Sequence, residues 1–180
     1  GAHLVLLQNA ASAKIYGGEL ELTVMPTRDL NFTGKFSYLH GEYEEFPLAQ
    51  GFVSNANGAG NTAIIFDASG NRIVLAPRAA MNLAADWSHE YRVGRFGANL
   101  NFYRSDRIYY DFSNNFSQKP YSLLNGQISF SPPDESFSLT VAMTNITNEV
   151  VFQSLRISAS GTDGILEKPR EVKATIRINF

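Results

Sequence analysis

The sequence predicts an all-β fold, an antiparallel up-and-down meander of about seven strands. Period-two alternation of apolar and polar residues recurs along almost the whole chain. The links between the alternating segments switch between short and long in strict order. No apolar run approaches the roughly 18 residues of a membrane helix, and 180 residues suit one sheet system.

Composition narrows the function classes. Fifteen Lys+Arg against seventeen Asp+Glu leave a net charge of −2, which excludes a nucleic-acid binder. The absence of cysteine removes disulfide frameworks, thiolate zinc sites and cysteine nucleophiles together. A hydrophobic content of 44% excludes intrinsic disorder, and 18% charged residues fall below the roughly 25% of soluble domains.

The first strand is Lys14–Pro26, where Tyr16, Leu20, Leu22 and Val24 oppose Glu19, Glu21 and Thr23. In the second, Leu30, Phe32, Phe36 and Tyr38 alternate with Asn31, Thr33, Lys35 and Ser37. The third is Ala79–Tyr91, with Met81, Leu83, Ala85 and Trp87 against Asn82, Asp86, Ser88 and Glu90. Its good helix formers also place Ala80, Leu83, Trp87 and Tyr91 on a helical stripe, but clean polar alternation and flanking strands favour β. Phe96–Tyr103, Leu124–Phe130, Phe137–Met143 and Val172–Phe180 follow with the same alternation.

Short turns at Pro26–Asp29, Arg92–Arg95 and Ser131–Ser136 alternate with long links at Glu45–Pro77, Ser113–Pro120 and Gln153–Pro169. One trimmed rim and one elaborate rim are the mark of outer-membrane barrels. The polar faces carry small neutral residues, and Tyr91, Phe96, Phe130, Phe137 and Phe180 all fall beside the short turns, as a membrane-interface girdle does. Pattern alone leaves a soluble β-sandwich or lipocalin-like barrel as the alternative, since aromatics also sit near strand ends in a sandwich core.

Several segments add a resemblance. Asn9 to Leu22, containing Gly17-Gly18-Glu19-Leu20-Glu21-Leu22, is similar to a strand of TonB-dependent outer-membrane receptors. Pro77-Arg78-Ala79-Ala80-Met81-Asn82-Leu83 resembles their strand after a long extracellular loop, and Pro120-Tyr121-Ser122-Leu123-Leu124-Asn125-Gly126 the entry to a late strand. Asn145-Ile146-Thr147-Asn148-Glu149 resembles an element near the end of the penultimate strand, and Pro169-Arg170 opens what looks like the closing strand. The resemblance implies the C-terminal portion of a 22-stranded transmembrane barrel, with the N-terminal plug domain, its energy-coupling box and the earlier strands lying outside these 180 residues. A small complete outer-membrane barrel of structural or adhesive role is the other membrane alternative.

The same resemblance implies import of a scarce large nutrient, most often a ferric siderophore. It implies residence in the bacterial outer membrane, with partners in outer-membrane lipid, the TonB energy-coupling complex through the plug, and the barrel-assembly machinery. It implies no cofactor. Arg78, Arg104, Arg107, Tyr109, Tyr110, Arg156 and Arg170 lie at or beyond the long-link ends of strands. Arg and Tyr there suit anionic, aromatic iron chelates through charge-assisted hydrogen bonds and stacking, and equally suit anchoring at lipid headgroups. Val172, Ala174, Ile176, Ile178 and the terminal Phe180 resemble the signal read by the barrel-assembly machinery.

Enzyme chemistry finds no support. His3, His40 and His89 share no metal-ligand spacing, and Gly17-Gly18 opens no helix, so a bulge or close strand packing is the expectation there. Glu19 and Glu21 share a strand face without a partner base and read as lumen-facing charges. The Asn- and Gly-rich stretch Gly51–Gly70 reads as a flexible loop.

Overall fold

A computed structural model describes residues 12–179, and their regular structure is entirely β. In chain order the strands are β1 (Ser12–Thr27), β2 (Leu30–Glu45), β3 (Ala49–Ser54), β4 (Asn61–Phe66), β5 (Ala79–Tyr91), β6 (Gly94–Ser105) and β7 (Ile108–Tyr109). Then come β8 (Ser117–Gln118), β9 (Tyr121–Ser131), β10 (Phe137–Thr144), β11 (Phe152–Ser158), β12 (Gly161–Leu166) and β13 (Glu171–Ile178). One sheet takes seven of them in the order β1-β2-β5-β6-β9-β10-β13, every neighbour antiparallel. Each sheet strand pairs with the next one in the chain, so the sheet is the expected meander.

Ala79–Tyr91 is a strand. Its backbone pairs on both sides, from Tyr38↔Ala79 to Leu30↔Trp87 with β2 and from Ala80↔Ser105 to Tyr91↔Gly94 with β6. Two complete ladders outweigh the modest helix propensity of its alanines.

The three turns between β1 and β2, β5 and β6, and β9 and β10 are short and share one edge of the sheet. The three long links share the other, and each folds into a two-stranded hairpin: β3–β4, β7–β8 and β11–β12. Composition points to a flexible spacer over Gly51–Gly70, and here the structure differs. Ala49↔Phe66 through Ser54↔Asn61 pair in register, and the glycines serve the tip, Gly58 and Gly60 taking φ of 73° and 71°. Those two left-handed positions are what a tight reversal asks of glycine.

The wall is one layer thick. On one face Leu20, Phe36, Leu83, Leu100, Ile128, Leu139 and Ile176 stand exposed, Leu20 at 65% and Ile176 at 67%. A sandwich covers one face of each sheet with another sheet, so this exposure removes the soluble sandwich. The opposite face carries Glu21, Lys35, Asn82, Asp86, Asn99, Asn101, Gln127 and Thr175. Near the short turns the apolar face holds a run of touching rings: Tyr91–Phe96 at 5.7 Å, Phe96–Phe130 at 4.8 Å and Phe130–Phe137 at 6.1 Å between centroids. Phe180, expected in that girdle, lies outside the described residues, as does His3.

The buried apolar cluster of the described residues sits at the long-link end of the wall. Tyr43, Phe46, Ala49 and Ala68 form it, with Phe66, Ile73 and Phe112 packed around them.

Gly17 is explained by close strand packing, not a bulge. Its register with Leu39 is unbroken, and a Cβ there would lie 2.2 Å from the Tyr38 carbonyl oxygen. Gly18 next to it has open space. Gly17→Ala is therefore expected to destabilise the full-length protein by about 1–3 kcal/mol in urea unfolding, and Gly18→Ala to leave it nearly unchanged. Equal effects would show that the approach of β2 does not select glycine.

Candidate functional site

The long-link rim is built from an aromatic nucleus outward. Tyr43, at the rim end of β2, lies 5.2 Å from Phe46 and 5.8 Å edge-on from Phe112, and Phe46 meets Phe112 at 5.2 Å. This joins the first long link to the second. Hydrogen bonds extend the joint: Asn71 Nδ2 donates to the Phe112 carbonyl at 2.8 Å, the Arg72 N–H donates to Asn114 Oδ1 at 2.8 Å, and Asn114 Nδ2 returns a bond to the Arg72 carbonyl at 3.0 Å. Asn114 adopts φ 57°, a left-handed position that asparagine tolerates. The Phe46 N–H donates to Ser69 Oγ at 2.9 Å, and Ser69 in turn donates its hydroxyl and N–H to Asp67, holding that carboxyl below its ordinary range.

The seven rim residues singled out from sequence do not form one constellation. Arg107, Tyr109 and Tyr110 share the second link. Arg107 donates to Ser117 Oγ at 3.2 Å, the Arg72 guanidinium lies 5.5 Å over the Tyr109 ring, and Tyr110 Oη donates to the Phe152 carbonyl at 2.6 Å. Arg156 pairs across its hairpin with Asp163 at 2.7 Å, both side chains largely exposed. Arg78 is exposed at the foot of β5, where its carbonyl accepts the Leu39 N–H at 2.9 Å. Arg170 braces the start of β13, its N–H donating to Asn148 Oδ1 at 3.1 Å. Arg104 stands apart. Its register with Met81 and Ser122 puts it on the apolar face, where it donates to Ser122 Oγ at 3.0 Å.

Sequence reasoning passed over several rim residues. Arg72 is mostly buried, sits over Tyr109 and approaches Asp106 at 3.8 Å. Asn61, Gln118 and Asn145 are buried polar side chains that tie links together. Asn61 Nδ2 donates to the Ser158 carbonyl at 2.7 Å and to Thr162 Oγ1 at 3.2 Å. Gln118 Oε1 accepts the Phe152 N–H at 3.0 Å. Asn145 donates to the carbonyls of Glu149 at 2.9 Å and Lys168 at 3.2 Å, joining both feet of the third link. An isolated asparagine in a loop carries no signal of which distant backbone it meets. Asn114 and Asn145 take φ of 57° and 48°, left-handed positions that asparagine tolerates.

The polar face of the wall is self-paired. Lys35 meets Glu21 at 2.9 Å, Asn82 and Asn101 exchange amide bonds at 3.0 and 3.3 Å, and Asn99 donates to Asp86 at 2.6 Å. Glu21 is thus one half of an ion pair with Lys35. His40 and His89 pair with Glu42 at 3.2 Å and Asp29 at 2.7 Å, and the described residues contain no cluster of three metal-ligating side chains.

Tyr110 gives the rim a pH dependence. Burial, then the nearby Glu167 carboxylate, push its phenol above the ordinary range. Because the folded value exceeds the unfolded one, the stabilisation is fully present below about pH 10 and is lost as pH rises through the folded value. Tyr110→Phe is expected to weaken the hold on the third link by about 0.5–1.5 kcal/mol at neutral pH. Limited proteolysis of residues 149–168 from pH 7 to 11 measures it. The wild type should become more susceptible at the alkaline end, and the variant should show no such rise.

Comparison with known proteins follows from this geometry. The chain matches solved structures with TM-scores of 0.77 for the ferric yersiniabactin uptake receptor FyuA from Yersinia pestis, 0.68 for the siderophore receptor PiuA from Acinetobacter baumannii and 0.66 for BauA, the ferric preacinetobactin receptor of the same organism. Identities are 17%, 20% and 18%, over 96%, 93% and 92% of this chain, so the likeness establishes fold. The chain spans about a quarter of those receptors, 24%, 22% and 22% of their lengths. Comparison with curated protein sequences finds no match. A family model described as TonB dependent receptor-like, beta-barrel, matches residues 3–146, and with the open seven-stranded wall this establishes that the chain belongs to the TonB-dependent receptor β-barrel family, whose members are outer-membrane transporters and receptors.

Proposed function

We propose that this chain is the C-terminal part of the barrel of a receptor that imports a ferric siderophore across the bacterial outer membrane, energised through TonB. The observation that carries the reading is the wall itself. One face exposes large aliphatic residues, the other is lined by self-paired small polar groups, and all elaborate links gather at one end. A lipid-facing surface, a wetted lumen and an external capture rim are what such a transporter requires. The siderophore class is supported by the three structural neighbours, described as a ferric yersiniabactin uptake receptor, a siderophore receptor and a ferric preacinetobactin receptor.

Within this reading Arg78, Arg107 and Arg156 supply positive charge to an anionic chelate, and Tyr109 and Tyr110 supply rings beside it. Arg104, on the apolar face, anchors the wall at the headgroup level. Arg170 serves the strand junction. The plug domain that contacts TonB belongs to the longer protein. Val172, Ala174, Ile176 and Ile178, exposed on one face of β13, belong to the edge strand that the barrel-assembly machinery pairs with, and the terminal Phe180 completes the sequence signal.

Two measurements test the proposal. Leu100→Arg or Ile176→Arg should cost about 2–4 kcal/mol in the folding of the full-length protein into bilayers, whereas Asn101→Arg or Thr175→Arg on the other face should cost much less. Equal costs would overturn the assignment of faces. Iron-starved cells lacking their own receptors, given the full-length protein, should accumulate radioactive iron from at least one of a panel of catecholate, hydroxamate and carboxylate chelates, and only when TonB is present. Correct assembly without import of any of the panel would overturn the substrate class.

A further inference from the structure

We propose that Asn57 is a site of spontaneous modification by water, its side-chain amide converted to a carboxylate through attack by the Gly58 peptide nitrogen, and that the fold withholds the same chemistry from Asn125-Gly126. Asparagine followed by glycine is the pairing that hinders this reaction least, because glycine has no Cβ beside its nitrogen and leaves the backbone free to turn. The chain contains two such pairs. The structure gives them opposite surroundings.

Asn57 and Gly58 form the tip of the β3–β4 hairpin, and both are exposed. The Gly58 N–H donates to the Asn55 carbonyl at 2.9 Å, a single turn bond open to water. Gly58 takes φ 73°, and a Cβ built there would meet nothing within 4 Å, so no neighbouring atom shields the nitrogen. The Ala59 N–H donates to Asn57 Oδ1 at 3.1 Å. Negative charge develops on that oxygen when a nucleophile adds to the amide carbon, and a donor already in place stabilises it.

Asn125 lies in the wall. It faces Asn101 across the ladder with β6, and Gly126 is paired on both sides, with Leu100 and with Met143. Its Oδ1 also carries a donor, the Asn145 N–H at 2.8 Å, so activation of the carbonyl is common to both sites. What differs is the reach of the nucleophile. Extended backbone with ψ of about +135° turns the following nitrogen away from the asparagine side chain, and two ladders hold it there. A hairpin tip opens at little cost, whereas a central strand opens only with the sheet around it.

The reaction needs no reagent beyond water. The Gly58 nitrogen gives up its proton to hydroxide and bonds to the Asn57 amide carbon. The carbon–Nδ2 bond then breaks, and Nδ2 leaves as ammonia with a proton from water. Water adds to either carbonyl of the resulting cyclic imide, and ring opening gives aspartate or isoaspartate. Each product adds one negative charge to the outer tip of the rim. Aspartate still offers an acceptor to the Ala59 N–H. Isoaspartate inserts a methylene into the main chain inside a loop closed by the Asn55 N–H on the Gly60 carbonyl at 3.2 Å.

This inference is independent of the import proposed above. Peptide mass spectrometry on the full-length protein, aged in detergent at mildly alkaline pH, tests it. The peptide containing Asn57 should gain the mass of an NH2-to-OH exchange and separate into two chromatographic products, aspartate and isoaspartate. Conversion there should run at least about a hundredfold faster than in the peptide containing Asn125. A sample unfolded in urea under the same conditions supplies the clock, and in it the two rates should converge to within about threefold. Asn57→Gln, whose longer side chain must close a larger ring, should leave that peptide unconverted over the same interval. Folded protein whose Asn57 stays intact while the unfolded sample converts would show that the turn protects the residue, and would overturn the proposal. Equal rates at Asn57 and Asn125 in the folded protein would overturn it as well.

Discussion

The antiparallel backbone ladder is the interaction on which the rest of this structure depends, because the wall has no interior beneath it. Seven strands are joined edge to edge through continuous registers such as Leu139↔Ile176 and Ala98↔Ile128, and among the described residues no second layer covers either face. The side chains consequently do not compete for one core. They sort by parity into a surface suited to hydrocarbon and a surface suited to water, and the ladder alone keeps the two from mixing, since a slip of one residue exchanges the faces. The same ladder leaves the outer edges of β1 and β13 without partners among the described residues. Unsatisfied backbone groups cost several kcal/mol each in lipid, so those edges belong against further strands.

The rim obeys different physics. Its backbone turns too often to be served by a long ladder, so its peptide groups need other partners. Asparagine supplies them, because one amide offers both donors and an acceptor. Asn71 and Asn114 stitch the first link to the second, Asn61 stitches the first to the third, and Asn145 closes the third upon itself. Where an aromatic nucleus accompanies these bonds, as around Tyr43 and Phe112, apolar burial adds to them; the strands of the β11–β12 hairpin carry only exposed and half-exposed residues.

Charge on the inner face is organised for wetting more than for stability. The Lys35–Glu21 pair is over half exposed on both side chains, and such pairs contribute about 0–1 kcal/mol. Asp86 is answered by a neutral amide from Asn99, and Asn82 by Asn101. Short polar side chains paired with their cross-strand neighbours leave the face hydrophilic without a strong field of one sign.

Period-two alternation determined all seven wall strands, including Ala79–Tyr91 against its helix propensity, and loop-length order determined which edge of the sheet is elaborate. Both were legible because a half-buried strand repeats every two residues and a meander alternates its ends. The three link hairpins were not legible. β3–β4 hides in a stretch whose glycines and asparagines signal looseness, yet those glycines are the turn that makes the hairpin possible. Nor did residue type locate the rim contacts. Arg104 has the chemistry of a ligand contact, yet it shares the parity of Phe96, Leu100 and Phe102, and its register beside Met81 puts it on the apolar face. Asn61 meets a partner about a hundred residues away, and nothing local to either residue records the meeting. Local sequence sets periodicity and turn chemistry; which loops touch is decided by how the wall spaces their roots, and that exists only in three dimensions.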